Sequence, residues 1–513
     1  MEVDRTPLNE SEELFAVCVN GERVFCRGAN WIPADAILAR ARAEKYEALV
    51  QHAADANFNM LRVWGGGIYE HDAFYAACDR LGILVWQDFM FSCAQYPDDD
   101  DEYCAEVRRE AELAVRRLRH HACLALWCGN NENNWGFDSW WPGKPAYGQR
   151  LYGQILPAVC AQLDPDRFYW PSSPCGGPDP NSELAGDCHW WGNATMNPDM
   201  KRRIDPTVYD ECRAKFVSEY GVIGPPVLAS LRQYLPPEAL HREHPAWQVH
   251  NNTFEKHTVV EGIRFHYVDP EHLTLEDYLL YAQLFQGVMY GYSLESMRFR
   301  KPVCNGALFW MYSDCWGEVG WTIVDYYLRR KPSYYYVRRA FAPLKVVSGR
   351  VGEEIVVRLL NDTSQEVHGR LQAGFVRLDG KGTRQESLPV HVAPGDAVTL
   401  HTEKIPAQGF DTHEWVYAAT VTADSSGLCD TSILNLHPWR QMHLAPPQII
   451  VEERDDHIEL ESPVFCHAVH AVDDGLAVWS DNYFDLLPHT KVRLQRGVDA
   501  KGRKADFQAV HLR

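Results

Sequence analysis

Residues 124–133 read Leu-Ala-Leu-Trp-Cys-Gly-Asn-Asn-Glu-Asn, and residues 214–221 read Ala-Lys-Phe-Val-Ser-Glu-Tyr-Gly. Each contains a short, mostly apolar run, 124–128 and 214–217, that stops just before polar residues including Glu132 and Glu219. A run of this length bounded by turn residues reads as a buried strand rather than a helix. The same grammar continues outward. Residues 24–29 end at Asn30-Trp31, residues 57–63 at Trp64-Gly65-Gly66-Gly67, and residues 83–86 at Gln87-Asp88. Residues 167–171 and 186–190 are expected as a fifth and a sixth strand, 215–218 as the seventh and 307–311 as the eighth. Helical patterns fall between them, at 44–56, 72–81 and 104–120. In the last, Val107, Ala111, Ala114, Val115 and Leu118 share one face. The acidic run 98–101 precedes that helix and is expected to serve its N-terminus, where negative charge is favourable. Strands alternating with helices predict a parallel sheet, and eight such units predict a (β/α)8 barrel.

After Pro343 the texture changes to short alternating strands, such as 354–360 and 398–400, separated by Gly, Asp and Pro turns. Pro446-Pro447 reads as a linker, and 448–451 and 491–494 as strands beyond it. The expected fold is therefore α/β: a (β/α)8 TIM barrel over residues 1–342, followed by two small β-sandwich domains. The first sandwich, immunoglobulin-like, is expected over 343–445 and the second, C-terminal one over 446–513.

The chain has 513 residues, 46% hydrophobic and 23% charged, which supplies a large core and room for more than one domain. A formal charge of −20 disfavours nucleic acid and anionic membranes as partners and fits a neutral substrate, although solubility alone accounts for it equally well. No apolar run reaches membrane-spanning length. The fifteen cysteines are odd in number and follow no metal-ligand spacing, and many sit in apolar strands. They read as reduced thiols, so a cytoplasmic setting is expected.

Carboxyls at the C-terminal ends of two barrel strands face one mouth, where barrel enzymes keep their chemistry. Glu132 and Glu219 in that position can serve as acid/base and nucleophile in the cleavage of a glycosidic bond. Ordinary ion pairing would explain either glutamate alone, but both have aromatic and amide neighbours. Tryptophans near strand ends suit a sugar, because pyranose C–H faces pack on rings while hydroxyls need polar partners. Burial among Trp127, Trp135 and Trp140, together with the charge of Glu219, is expected to raise the pKa of Glu132. No Gly-x-Ser-x-Gly elbow and no His-Glu-x-x-His appears, which disfavours serine and zinc hydrolysis. Neither a metal nor an organic cofactor is expected. The rival from another class is a non-catalytic carbohydrate-binding protein, which would retain the aromatics and lose a carboxylate.

Several motifs together resemble the β-mannosidase branch of glycoside hydrolase family 2. They are Gly28-Ala29-Asn30-Trp31-Ile32-Pro33-Ala34-Asp35, Arg62-Val63-Trp64-Gly65-Gly66-Gly67-Ile68-Tyr69-Glu70, Trp127-Cys128-Gly129-Asn130-Asn131-Glu132, Phe216-Val217-Ser218-Glu219-Tyr220-Gly221, Gly306-Ala307-Leu308-Phe309-Trp310 and Ser480-Asp481-Asn482-Tyr483-Phe484. The resemblance implies a retaining, exo-acting hydrolase that releases terminal β-linked mannose from an oligosaccharide or glycoside. Glu132 matches the family's acid/base, Glu219 its nucleophile, and Asn131 the amide that contacts the sugar 2-hydroxyl. Trp64 matches a tryptophan of the cleaved-sugar subsite and Trp310 a platform after strand eight. Trp31, Asp35, His189 and Trp190 lie at matching strand ends and are expected to line the pocket. A related activity on another β-linked sugar, glucosamine or galactose, or internal cleavage of a glycan, is the alternative, because Ser313-Asp314-Cys315-Trp316-Gly317 departs from the branch's usual Asn-Asp-x-Trp-Pro.

The resemblance also implies sandwich domains ahead of the barrel, whereas here strand one begins near residue 24. The missing wall leads us to expect a homo-oligomer or a partner chain that completes the site. Within the chain, the polar segment 243–256, with His250, Asn251 and Asn252, is the candidate for partial replacement.

Overall fold

The computed structural model describes residues 1–251, 256–406, 410–424, 429–472, 477–497 and 505–512. Eight parallel strands form one sheet: β1 (Cys26–Trp31), β2 (Met60–Val63), β3 (Leu84–Asp88), β4 (Leu124–Cys128), β5 (Phe168–Trp170), β6 (Cys188–His189), β7 (Val217–Glu219) and β8 (Gly306–Phe309). Their spatial order is β5-β4-β3-β2-β1-β8-β7-β6, the cyclic order of a TIM barrel opened between β5 and β6. Side chains span that opening. Asp187, just ahead of β6, accepts at Oδ1 from Trp170 Nε1 on β5, 2.7 Å away, and at Oδ2 from Ser173 Oγ, 2.6 Å away. Close approach of β1 to β2 requires Gly28, where a Cβ would overlap the Met60 carbonyl.

Helices Ala43–Asp55, Asp72–Leu81 and Asp101–Leu118 follow the first three strands, close to the predicted spans. Asp100 caps the third, its carboxylate accepting from the N–H groups of Glu102 and Tyr103, so the acidic run does serve a helix N-terminus.

The barrel interior is filled from the end where the strands begin. Met60, Trp86, Leu126, Phe216 and Leu308 cluster with Phe15 and Val17, which the antiparallel sheet of Glu2–Asp4, Ala16–Val19 and Glu22–Val24 delivers beneath the barrel. The Phe15 ring lies 4.9 Å from Trp170 and 5.6 Å from Phe216, centroid to centroid. Apolar side chains thus plug one end, and buried polar side chains collect at the other.

The chain divides into two compact units. The first comprises residues 1–197, 208–222 and 300–316 and holds all eight barrel strands. The second comprises residues 198–207, 223–299 and 317–513, so the long helix Leu275–Phe299 groups with the C-terminal sheets. In the second unit, strands Leu344–Val351, Glu354–Asn361 and Ala397–Lys404 form one sheet. Thr383–Val392, Val367–Arg377, Trp415–Ala423 and Cys429–Leu434 form another. Val346, Ile355 and Val357 of the first sheet share a core with Leu371, Phe375 and Val421 of the second, which makes a sandwich. A smaller pair of three-stranded sheets follows, its core built from Ile458, Leu460, Val469, Phe484, Leu494 and Phe507.

Segment 243–256 is not a plain polar loop. Pro245–His250 is helical, and the His250 ring packs at a tilt against Tyr234 and hydrogen-bonds through Nδ1 to the Gly317 carbonyl at 2.5 Å. Asn252 lies outside the described residues. Among the described residues, none of the fifteen cysteines forms a disulfide, and no helix is long and apolar enough to cross a membrane.

Candidate active site

Side chains on a strand alternate between faces. On β1, Asn30 points into the barrel, where its Nδ2 donates to the Ser218 carbonyl at 2.8 Å, while Trp31 points out. On β2 the inward residue is Arg62, whose side chain has no solvent exposure. A buried guanidinium is tolerated only when its donors are satisfied. Nη1 donates to Glu219 Oε1 at 2.7 Å and Asn30 Oδ1 at 2.9 Å, and Nη2 donates to Asp88 Oδ2 and Asn131 Oδ1, both at 2.8 Å. Burial works against the charge of Arg62, but Asp88 and Glu219 outweigh it and raise its pKa.

Glu219 is the last residue of β7. Its second oxygen, Oε2, accepts from Trp191 Nε1 at 3.2 Å and lies 3.5 Å from His189 Nδ1. Glu132 follows β4 by four residues and adopts φ 62°, a left-handed conformation that costs a non-glycine residue about 1–3 kcal/mol. Neighbouring segments hold it there: its N–H donates to the Ser173 carbonyl at 2.8 Å and its carbonyl accepts from the Gly136 N–H at 2.7 Å. The carboxyl meets His189 Nδ1 at 2.8 Å through Oε1 and Cys93 Sγ at 3.4 Å through Oε2. One atom each from Glu132, His189 and Glu219 lie within 4.8 Å of one another.

The electrostatics separate the two glutamates. Burial pushes the Glu132 carboxyl up to about 7, against the Cys93 hydrogen bond and the Arg62 charge. Burial also raises Glu219, opposed by His189 and Arg62. Burial lowers His189 to about 4, so its imidazole is neutral near neutrality. Desolvation, with the charge of Glu132, pushes the Cys93 thiol up to about 12. The carboxylate with direct N–H donors on both oxygens is Glu219. Glu132 is therefore the group that carries a proton near neutral pH.

The structure distributes the expected site residues unevenly. Asn131 joins the carboxyls through Arg62, and its Nδ2 reaches Ser92 Oγ at 3.3 Å and Cys93 Sγ at 3.4 Å. Trp64 and Trp310 meet edge to face with centroids 5.1 Å apart, both half-buried, and so offer ring surface. His189 stands between the two carboxyls rather than at the pocket rim. Trp31 and Trp190, expected as lining, are packed in the interior instead. Trp31 donates to Glu70 Oε1 at 2.8 Å among Tyr46, Phe74 and Tyr312, and Trp190 donates to Glu183 Oε1 at 2.7 Å beside Tyr209. Asp35 is buried, with Oδ1 accepting from the Ile37 N–H at 2.8 Å and from Arg40 at 2.9 Å, which makes it a loop anchor. Nor does Trp127 shelter Glu132. Its indole stacks on Phe89 and donates to Asp164, and Trp140 is exposed.

Sequence reasoning passed over Arg62, Asp88, Asn30, Cys93 and Trp191. An arginine inside an apolar strand was the available signal, since such a residue must be paired when buried. Glu132, His189 and Glu219 offer metal-type ligand atoms, but a cation bound there would lie beside the buried Arg62 guanidinium. The cluster is suited to moving protons and holding an electrophilic carbon.

No family model matches the chain. It is 32% identical over 550 aligned residues to Beta-mannosidase B of Thermothelomyces thermophilus, covering 96% of this chain and 63% of that protein. With Beta-mannosidase B of Neosartorya fischeri it is 30% identical, covering 92% and 59%. The crystal structure of the β-D-mannosidase from Dictyoglomus thermophilum matches with a TM-score of 0.91 at 33% identity, covering 100% of this chain and 63% of that one. The exo-chitosanase of Amycolatopsis orientalis shares the fold, with a TM-score of 0.72 at 19% identity, covering 99% of this chain and 66% of that one. The chain thus spans about three-fifths of the length of the curated relatives it matches. By sequence and by fold it is a relative of the β-mannosidases, the branch of glycoside hydrolase family 2 that its motifs resemble.

Proposed function

We propose that the protein is a retaining, exo-acting glycoside hydrolase that releases terminal β-linked mannose by double displacement. The observation that carries this reading is the pairing of Glu132 and Glu219, with one oxygen of each inside a cluster of atoms no more than 4.8 Å apart. Retaining enzymes hold their two carboxyls about 5 Å apart, whereas inverting enzymes leave roughly 6.5–9.5 Å for a water. The protonation states agree with the assignment. Glu219, with Arg62 and Trp191 donating to it, is ready to attack, and Glu132, raised to about 7, is ready to protonate.

In the first step Glu219 attacks the anomeric carbon while the Glu132 proton passes to the departing glycosidic oxygen. A glycosyl ester forms on Glu219. In the second step Glu132, now a carboxylate, takes a proton from water as that water attacks the same carbon and frees Glu219. Arg62 fixes the Asn131 amide through Oδ1, and Nδ2 would give up one of its contacts, to Ser92 Oγ or Cys93 Sγ, to donate to the sugar 2-hydroxyl. Trp64 and Trp310 supply ring faces for the sugar. Mannose, among the β-linked sugars, is supported by the names of the relatives above and by the motif resemblance.

A panel of aryl β-glycosides assayed on the purified chain tests this. Hydrolysis of the mannoside well above that of the glucoside, galactoside and glucosaminide is expected. Preference for another sugar would overturn the specificity, and sugar binding without any turnover would favour the non-catalytic rival.

A further inference from the structure

Asp187 receives four donors. Trp170 Nε1 at 2.7 Å and the Cys175 N–H at 3.0 Å reach Oδ1, while Ser173 Oγ at 2.6 Å and Ser218 Oγ at 2.5 Å reach Oδ2. A serine hydroxyl has one hydrogen to give. Ser173 gives it to Asp187, so its oxygen acts as acceptor toward His189 Nε2, 3.1 Å away. The ring proton therefore sits on Nε2, and the neutral imidazole presents a lone pair at Nδ1. That lone pair lies 2.8 Å from Glu132 Oε1 and 3.5 Å from Glu219 Oε2. Two bare carboxylates around a lone pair repel it. A carboxyl O–H on Glu132 satisfies it, while Glu219 is already occupied by Arg62 and Trp191.

We propose that Asp187 and Ser173 hold His189 in the Nε2–H tautomer, and that the Nδ1 lone pair so presented keeps the acid proton on Glu132 Oε1 between turnovers. The inference rests on the reading of Glu132 as acid/base. His189, Ser173 and Asp187 are positioning residues: none exchanges a proton with the substrate, and each acts through Glu132.

The proton count closes over the cycle. The O–H proton leaves its hydrogen bond to Nδ1 for the glycosidic oxygen in the first step, and Glu132 then faces the lone pair as a carboxylate. A hydrogen bond available only to the neutral acid raises its pKa, which makes the carboxylate a better base toward water. The proton taken from water in the second step returns to the same place. The other charged or titratable groups facing the pair are Glu219, Arg62, Asp187 and Cys93. Cys93 donates to the opposite oxygen, Oε2, so it does not compete for Nδ1.

Ser173→Ala removes the acceptor at Nε2. The ring proton is then drawn to Nδ1, between the two carboxylates, and donates to ionised Glu132. The alkaline limb of kcat/KM, which reports the free enzyme, should move down by about one pH unit. Ser173→Thr keeps the hydroxyl and should restore the limb. Nitrogen-15 spectra of the His189 ring provide a readout that needs no substrate: protonated Nε2 in the wild type, protonated Nδ1 in Ser173→Ala. If Glu132→Ala keeps the alkaline limb, the acid assignment itself fails, and the ring spectra still report on the tautomer. If Glu132→Ala loses the limb but Ser173→Ala shifts neither limb nor ring proton, the positioning chain is overturned. Protonated Nδ1 in the wild type overturns it without any variant.

Discussion

Arg62 Nη1 lies 2.7 Å from Glu219 Oε1, and through the same guanidinium Glu219 is tied to Asp88, Asn30 and Asn131. Four polar side chains from different strands and the loops that follow them thus share the one guanidinium of Arg62. Arg62→Ala leaves two buried carboxylates without a cation, and breaking a buried pair in this way costs about 3–5 kcal/mol. Arg62→Lys keeps the charge but cannot reproduce the fork, so its melting temperature should fall less while kcat falls at least about 100-fold through misplacement of Glu219. Thermal melts and steady-state kinetics of both variants check this. Equal melting temperatures for the wild type and the alanine variant would contradict it.

On the proposed mechanism, the Glu132 carboxyl, raised to about 7 by burial, should set the alkaline side of the activity profile. Activity should be lost as pH rises through about 7, because the acid must begin protonated. Glu132→Ala should abolish that limb and slow substrates with poor leaving groups far more than activated aryl glycosides. Equal losses on both substrate types would remove Glu132 from the acid role.

The same raised carboxyl makes a stability prediction of defined sign. Its folded value lies above the ordinary glutamate value of about 4.5, so its favourable contribution is complete below about 4.5 and is lost as pH rises through about 7. A shift of that size corresponds to roughly 3 kcal/mol at most. Glu132→Gln, which cannot ionise, should therefore match the wild type near pH 4.5 and exceed its stability above pH 8. Denaturant unfolding at the two pH values measures the difference. A variant less stable than the wild type at pH 8 would show that burial does not disfavour the ionised Glu132 carboxylate.

Gly66 lies under the Trp64 ring, and a Cβ there would overlap the indole. Gly66→Ala should tilt Trp64 out of its edge-to-face contact with Trp310 and lower kcat/KM by about 1–3 kcal/mol, the scale of a lost aromatic contact. Trp64→Ala and Trp310→Ala should do the same with small changes in melting temperature. Trp31→Ala, in contrast, should destabilise by about 3–5 kcal/mol, the scale of a large aromatic removed from the core. If Trp64→Ala and Trp310→Ala lose stability and keep activity, both rings are core.

The barrel strands were legible because each is a short apolar run with a polar end, and β4 matches its predicted span at Leu124–Cys128. The two glutamates were legible for the same reason, as carboxyls at strand ends. Which neighbour faces the site was less legible. Along a strand the faces alternate, so a step of one residue exchanges pocket for core. Trp31 and Trp190 point outward, while Asn30 and Arg62 point in and Trp191 reaches Glu219. Aromatic character drew attention to Trp31 over Asn30, whereas Trp190 and Trp191 are both tryptophans and only the fold tells them apart. The hydrogen bonds from Asp187 through Ser173 to His189 were invisible for a different reason. They join residues from separate strand ends, and only closure of the barrel brings them together.

In the proposed mechanism Glu219 is the nucleophile of a retaining hydrolase. A 2-deoxy-2-fluoro-mannosyl fluoride, which forms the glycosyl ester readily but slows its hydrolysis, tests it most directly when the inactivated protein is digested and its peptides are weighed. One fluoro-sugar adduct is expected, on the peptide bearing Glu219, and none in Glu219→Gln. An adduct on another carboxylate, or turnover with an inverted anomer and no adduct at all, would contradict it.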